Sequence, residues 1–269
     1  MIDHASAELA AAGVDDARRD AELLLAEAMG VSRSEVVAGL AEPTDEQVAT
    51  FESWVARRAA REPFAYIVGR KGFRRIDLVV DERVLIPRPE TELLVAVAKV
   101  GRPCGILDVA TGSGAVALAL ADELPDATIM ASDVSADALD VARLNAERLG
   151  AKVEFVESDL LDGIDGVFDA ITANLPYVTS GEMTTLQREI TEFEPALALD
   201  GGEDGLDLVR RLADQAPARL RPGGLLALEI GAEQGAATAQ ILREHGFVDV
   251  EIHADLAGLD RVVSGSTPS

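Results

Sequence analysis

From residue 105 onward the chain alternates short apolar runs with helix-patterned segments, and this alternation limits the fold more than any single residue does. "GILDVA" (105–110), "ATIMASD" (127–133), "KVEFVES" (152–158), "FDAITAN" (168–174) and "GGLLALEI" (223–230) read as strands. "AVALALADEL" (115–124), "SADALDVARLNAERLG" (135–150, with Ser135 as cap) and "EDGLDLVRRLADQAPARL" (203–220) read as helices between them. "EQGAATAQILREHG" adds a further helix, "FVDVEIH" a strand and "RVVSG" a last short strand. Strands separated by helices of this length predict a mostly parallel sheet covered on both faces, a doubly wound α/β fold. In such a sheet the carboxyl ends of the strands share one rim, where ligands bind.

The front of the chain has a different pattern. Residues 1–60 read as helices: "DARRDAELLLAEAMG" carries an Ala21, Leu24, Leu25, Ala28 stripe and stops at Gly30. "TDEQVATFESWVARRAA" opens with the Thr44–Gln47 spacing of a capping box, and Val48, Phe51, Trp54 and Val55 repeat at helical spacing. Trp54 is therefore expected in a core. Residues 61–89 change character: Tyr66, Ile67 and Val68 before Gly69, then "IDLVV" and "RVLI", predict short strands or a hairpin. Pro87 and Pro89 break the chain, Arg88 and Glu90 beside them suit a structural ion pair, and "ETELLVAVAKV" resumes a helix.

A formal net charge of −24, from 48 acidic and 24 basic residues, repels phosphate backbones at long range and argues against a protein that coats nucleic acid. The single cysteine, Cys104, rules out an internal disulfide and a cysteine-based metal site. His4, His245 and His253 lack ligand spacing, so no metal is expected. "MIDHASAELAAAG" lacks the pattern of a signal peptide, and no apolar stretch spans a bilayer, so the expected compartment is the cytoplasm, with no membrane partner. No apolar element is left unassigned, which predicts a monomer.

The strongest local motif is "ILDVATGSGAVALALA". A strand ends near Asp108, a small-residue turn runs through Ala110, Thr111, Gly112, Ser113 and Gly114, and a helix starts at once. Gly112 and Gly114 permit a tight turn and close backbone approach to a ligand. Asp133 closes the next strand, where a carboxylate can accept both hydroxyls of a ribose. Asp108 discriminates among nucleosides: a carboxylate before the turn opposes a pyrophosphate but suits the ammonium of an amino acid, or a water linked to it. That favours S-adenosyl-L-methionine over NAD. Asp159, after the following strand, can accept an adenine amine, with Leu160 against the ring. Asn174 ends the fourth strand, on the same rim as Asp108, and opens "NLPY".

These segments together resemble the PrmC/HemK family, the N5-glutamine methyltransferases of peptide chain release factors. "REPFAYIVGRKGF" and "VLIPRPETELLV" resemble that family's interdomain hairpin and entry to its catalytic domain, and "ANLPYV" its Asn-Pro-Pro-Tyr substrate loop. "DVATGSGAVALALA", "SD" at 132–133, "ESDL" and "FEPALALDGGEDGLD" extend the similarity over nearly the whole chain. The resemblance implies a seven-stranded Rossmann-like methyltransferase sheet at 90–269, a helical substrate-recognition domain at 1–64 and a hairpin linker at 65–89. It implies that Ala110 through Gly114 cradle S-adenosyl-L-methionine, that Asp133 binds its ribose and that Leu160 lines the adenine. Asn174 is expected to hold the glutamine amide, with Leu175, Pro176 and Tyr177 completing the pocket, and the helical domain to help hold the release factor, with no direct contact to nucleic acid.

That chemistry requires little of the protein beyond alignment. An amide nitrogen is a weak nucleophile because its lone pair is delocalised, so it must be oriented and kept dry. The Asn174 carbonyl can accept one amide hydrogen and the Leu175 backbone carbonyl the other, while Tyr177 packs on the flat group. A strong base is not required, because the proton can pass to water after the transfer. The family has proline at Leu175, but the contact there is a backbone carbonyl, and Pro176 still holds Leu175 extended. "NLPY" also resembles the loop of rRNA adenine dimethyltransferases, and a ribosomal-protein glutamine methyltransferase would share the chemistry. Both stand as alternatives on the sequence.

Overall fold

A computed structural model describes residues 1–269. The chain forms two compact units: Met1–Arg70 with Gln187–Phe193, and Lys71–Leu186 with Glu194–Ser269. The division at residue 70 falls inside the segment expected as a linker.

The first unit is helical: α1 (Ile2–Ala11), α2 (Ala17–Met29), α3 (Arg33–Ala38), α4 (Asp45–Ala59) and α5 (Phe64–Val68). The Thr44–Gln47 capping box forms as expected, and a second joins Ser32 and Glu35. Leu9, Leu24, Phe51 and Val55 fill the core, and Trp54 packs against it. Tyr66–Val68, expected as a strand, is the end of α5. Pro63 starts that helix and Gly69, in the left-handed region, ends it.

Two arginines of α4 and its C-terminal extension are buried among acids. Arg58 pairs with Asp20 at 2.8 Å and with Glu189 at 3.1 Å, and Arg61 pairs with Glu189 at 2.6 Å. Glu189 lies on a helix the sequence did not announce, α9 (Arg188–Phe193), part of the short stretch that the chain contributes to this unit after Leu186.

The second unit begins with the hairpin strands β1 (Arg70–Phe73) and β2 (Ile76–Val79) and helix α6 (Glu92–Ala98). "RVLI", expected as a strand, has no strand partner. Val84 and Ile86 are buried in an irregular segment, where the Glu194 carboxylate accepts the Ile86 N–H. Arg88 likewise pairs with Glu194, not with Glu90.

The main sheet comprises β3 (Gly105–Val109), β4 (Thr128–Asp133), β5 (Val153–Glu157), β6 (Phe168–Asn174), β7 (Leu220–Glu229), β8 (Val248–Ala254) and β9 (Asp260–Ser266). Its order is β5-β4-β3-β6-β7-β9-β8, all parallel except β9, which runs antiparallel to β7 and β8. This is the doubly wound, mostly parallel seven-stranded sheet expected. Alternate strand residues enter opposite layers. Ile106, Ala170 and Ala227 join the layer of α6 and α7 (Ala115–Glu123), whereas Leu107, Ile171 and Leu228 join that of α10 (Asp207–Gln215) and α11 (Gly235–Glu244). The helix expected over 203–220 is shorter, ending at Gln215 before a 3-10 turn at Pro217.

The winding reverses between β3 and β6. From β3 the chain goes outward through β4 and β5, and from β6 through β7 the other way. A crevice at the carboxyl ends of these two strands is the geometric result.

Candidate active site

At that reversal lies a cavity of about 350 Å³. Asp108, Ala110, Thr111, Gly112, Ser113, Asp133, Asp159, Leu160, Asn174, Leu175 and Pro176 all line it. Gly114 and Tyr177 are not among its lining residues. Gly114 instead caps α7 at φ +82°, where a Cβ would stand 2.9 Å from Leu118 Cδ1 and 3.3 Å from the Ala142 Cβ. It is required by close helix packing. At Gly112 an added Cβ would meet nothing within 4 Å.

The glycine turn is held from three sides. The Thr111 N–H donates to the Ser132 carbonyl at 2.9 Å, and the Gly112 N–H to Asp133 Oδ2 at 2.8 Å. Asn145, buried on α8 (Ala136–Leu149), donates to the Ser113 carbonyl at 2.9 Å, and its amide also accepts the Val79 N–H and donates to the Val79 carbonyl. Ala110 sits in the left-handed region at φ 56°, a strained position for a residue with a Cβ.

The two carboxylates of the turn differ in setting. Asp108 is 1% exposed, and its oxygens accept from the Thr111 hydroxyl at 2.6 Å and the Thr172 hydroxyl at 2.7 Å. Burial pushes its carboxyl up to about 6 against the pull of those hydroxyls. Asp133 is partly open. Burial raises its pKa too, against the backbone N–H groups of Ser135 and Gly112, which bind one oxygen each. Asp159 is half exposed and paired with Arg211 at 2.8 Å. Leu160 is buried at φ 53°, with the Ser158 hydroxyl 3.0 Å from its carbonyl.

The segment after Asn174 is clamped through its backbone. Val178 donates to the Leu199 carbonyl at 3.0 Å and accepts from the Gly201 N–H at 2.8 Å. Gln234 Nε2 donates to the Tyr177 carbonyl at 3.0 Å. A Cβ on Gly205 would stand 2.2 Å from that same carbonyl, so "DGGEDG" must be glycine-rich to lie against the loop. Leu175 is 2% exposed and joins the core. Burial raises the Tyr177 hydroxyl, and the charge of Glu229 adds to the rise.

Sequence reasoning passed over Thr91, Thr172, Gln234 and Glu229. Glu229 ends β7 in register with Asn174. It stands on the same rim as Asp108 and Asp133, and the strand-end rule that found those two reaches it as well.

Comparison with known proteins covers both units. The model of the PrmC N-terminal domain matches residues 1–69, and that of the methyltransferase small domain residues 89–203. A release factor glutamine methyltransferase of Geobacter sulfurreducens is 40% identical over 98% of this chain and 95% of its own length. One of Cereibacter sphaeroides is 43% identical over 97% and 95%. Among solved structures, a methyltransferase of Pyrococcus furiosus superposes with a TM-score of 0.57 at 18% identity, covering 81% of this chain and 98% of that one, a likeness of fold.

Proposed function

We propose that this chain, which belongs to the family of release factor glutamine methyltransferases, methylates the side-chain amide nitrogen of the glutamine in the Gly-Gly-Gln motif of peptide chain release factors, with S-adenosyl-L-methionine as methyl donor. The observation that carries this reading is identity near 40% running through the helical unit and the sheet alike. A shared catalytic fold alone would leave the acceptor open.

The cavity fits such a donor. Its volume of about 350 Å³ is in the range of small-molecule sites. Asp133 has one oxygen on each of two backbone N–H groups, which leaves further lone pairs for ribose hydroxyls. Open space over Gly112 permits close approach of a ligand. Leu160 offers an apolar wall, and the buried Asp108 a negative end to the cavity. The donor, when bound, supplies an electrophilic methyl group on a sulfonium.

The protein's share is orientation. Asn174 Oδ1 accepts one hydrogen of the substrate amide, and the Leu175 carbonyl accepts the other. The nitrogen is then fixed, and the positive charge that develops on it is offset by two acceptors. The clamp by Gln234 and Gly205 keeps the Leu175–Tyr177 backbone in place for this. The helical unit contributes to holding the release factor, and the reaction belongs to the cytoplasm. No helix is long and apolar enough to cross a membrane.

The test is incubation with labelled S-adenosyl-L-methionine and a release factor, followed by peptide mass spectrometry. A methyl group on the Gly-Gly-Gln glutamine is expected. Label found only in rRNA or in a ribosomal protein would overturn the reading.

A further inference from the structure

Glu229 is the one buried acid on the rim with an unsatisfied oxygen. It is 3% exposed, and its Oε2 has no hydrogen-bond partner. It lies beside Asn174 in strand register, with Thr91 and Asn174 as its polar neighbours. The charged and titratable groups around it are Glu90, Arg261 and Tyr177, and Arg261 is already bound to Asp255 at 2.9 Å. The Asn174 carboxamide is also tied to Thr91, whose hydroxyl accepts from its Nδ2 at 3.4 Å.

A carboxamide is nearly symmetric in shape, so its neighbours decide which end faces the cavity. The reaction needs the oxygen there. An ionised carboxylate accepts hydrogen bonds and donates none, so beside Asn174 it selects the NH₂ end for itself. A protonated carboxyl can donate to Oδ1 instead, which permits the reversed orientation.

We propose that Glu229 is a positioning residue: its carboxylate, with Thr91, holds the Asn174 carboxamide so that Oδ1 faces the substrate amide. The inference rests on the role given above to Asn174. Burial pushes the Glu229 carboxyl up to about 7, with Thr91 and Asn174 pulling against it. The orienting form is the deprotonated one, so turnover rises with pH through that region and levels off above it.

The experiment measures kcat and both KM values from about pH 5.5 to 8.5 for the wild type, Glu229→Gln, Glu229→Asp and Asn174→Ala. It adds the pH dependence of the Asn174 side-chain amide resonances in the protein without donor or substrate. Donor binding by calorimetry establishes that each variant is folded. Glu229→Gln is expected to lower kcat at least tenfold, to leave the KM of the donor within about twofold, and to lose the rising limb near pH 7. Glu229→Asp recovers part of the rate and keeps a rising limb. The Asn174 resonances titrate near 7 in the wild type and are flat in Glu229→Gln. Full kcat in Glu229→Gln beside an inactive Asn174→Ala would overturn this inference and leave the Asn174 reading standing. Full activity in Asn174→Ala would overturn both, and a loss confined to donor KM would show that Glu229 serves the donor site instead.

Discussion

Asp108→Asn makes the electrostatics of the glycine turn measurable. In the wild type the carboxyl moves from an ordinary 3.8 to about 6, chiefly because it is fully buried. A raised value means that the native state binds the proton more tightly than the unfolded chain does. The stability owed to that proton is complete below 3.8 and is lost as pH rises through 6. The shift corresponds to a penalty on the order of 3 kcal/mol at pH 8, of which about half develops between pH 5 and 8. Asparagine has nearly the same shape and no charge, so it removes the penalty. It also brings an NH₂ where the hydroxyls of Thr111 and Thr172 now donate, which costs about 1 kcal/mol. The variant without donor is therefore expected to be about 2 kcal/mol more stable than the wild type at pH 8, and its advantage to shrink toward pH 5. Calorimetry of the sheet-bearing unit at both pH values should show this as a Tm difference that widens by roughly 3–6 °C at the higher pH. Donor affinity should fall at the same time. A Tm difference independent of pH would refute the reasoning, because it would mean that Asp108 is not a buried carboxylate held against its solvation.

The other expectations concern neighbouring features. Asn174→Ala should lower kcat by roughly a hundredfold or more in the labelled-methyl assay, with donor affinity by calorimetry near normal, because the contact aligns the acceptor. The two turn glycines should part company: Gly114→Ala, driven into Leu118, should lose about 2–3 kcal/mol in thermal unfolding. Gly112→Ala should cost only about 1 kcal/mol but weaken donor binding, since its methyl enters the cavity. Glu189→Ala leaves Arg61 without its acid and Arg58 with Asp20 alone, which should destabilise the helical unit by about 3 kcal/mol, read from the fluorescence of Trp54, the single tryptophan.

Much of the site could be read before any coordinates because it follows strand periodicity. Asp108, Asp133 and Asn174 each end an apolar run, and a parallel sheet brings such ends together whatever the helices between them do. Glu229 obeys the same rule but sits inside "LALEI", where an acid reads as an outward-facing strand residue. Its polar neighbours, Asn174 and Thr91, are distant in sequence. The misread segments are short. Tyr66–Val68 has strand-like residues, but three residues carry too little local preference to resist a helix between Pro63 and Gly69. Val84 and Ile86 alternate as a strand would, yet the Ile86 N–H is satisfied by the side chain of Glu194, and no pattern in a single chain reports a bond between residues that far apart. The Arg188–Phe193 helix escaped for the same reason, since what holds it is Glu189 reaching Arg58 and Arg61.

That last pairing bears on the order in which the protein can be made. Synthesis runs from the N-terminus, and domains usually fold as units once they emerge. Here the helical unit is not finished when its first seventy residues have appeared. The acid that neutralises Arg61 is 128 positions later and the same acid reaches Arg58 across 131. Until Glu189 leaves the ribosome, Arg61 lacks its acid in a nascent helical bundle and the bundle lacks its closing turn. The first unit to begin folding thus gains its last ion pairs only after β3 through β6 and the Asn174 loop have been synthesised, and a fragment cut at residue 70 lacks the acid that pairs with Arg61.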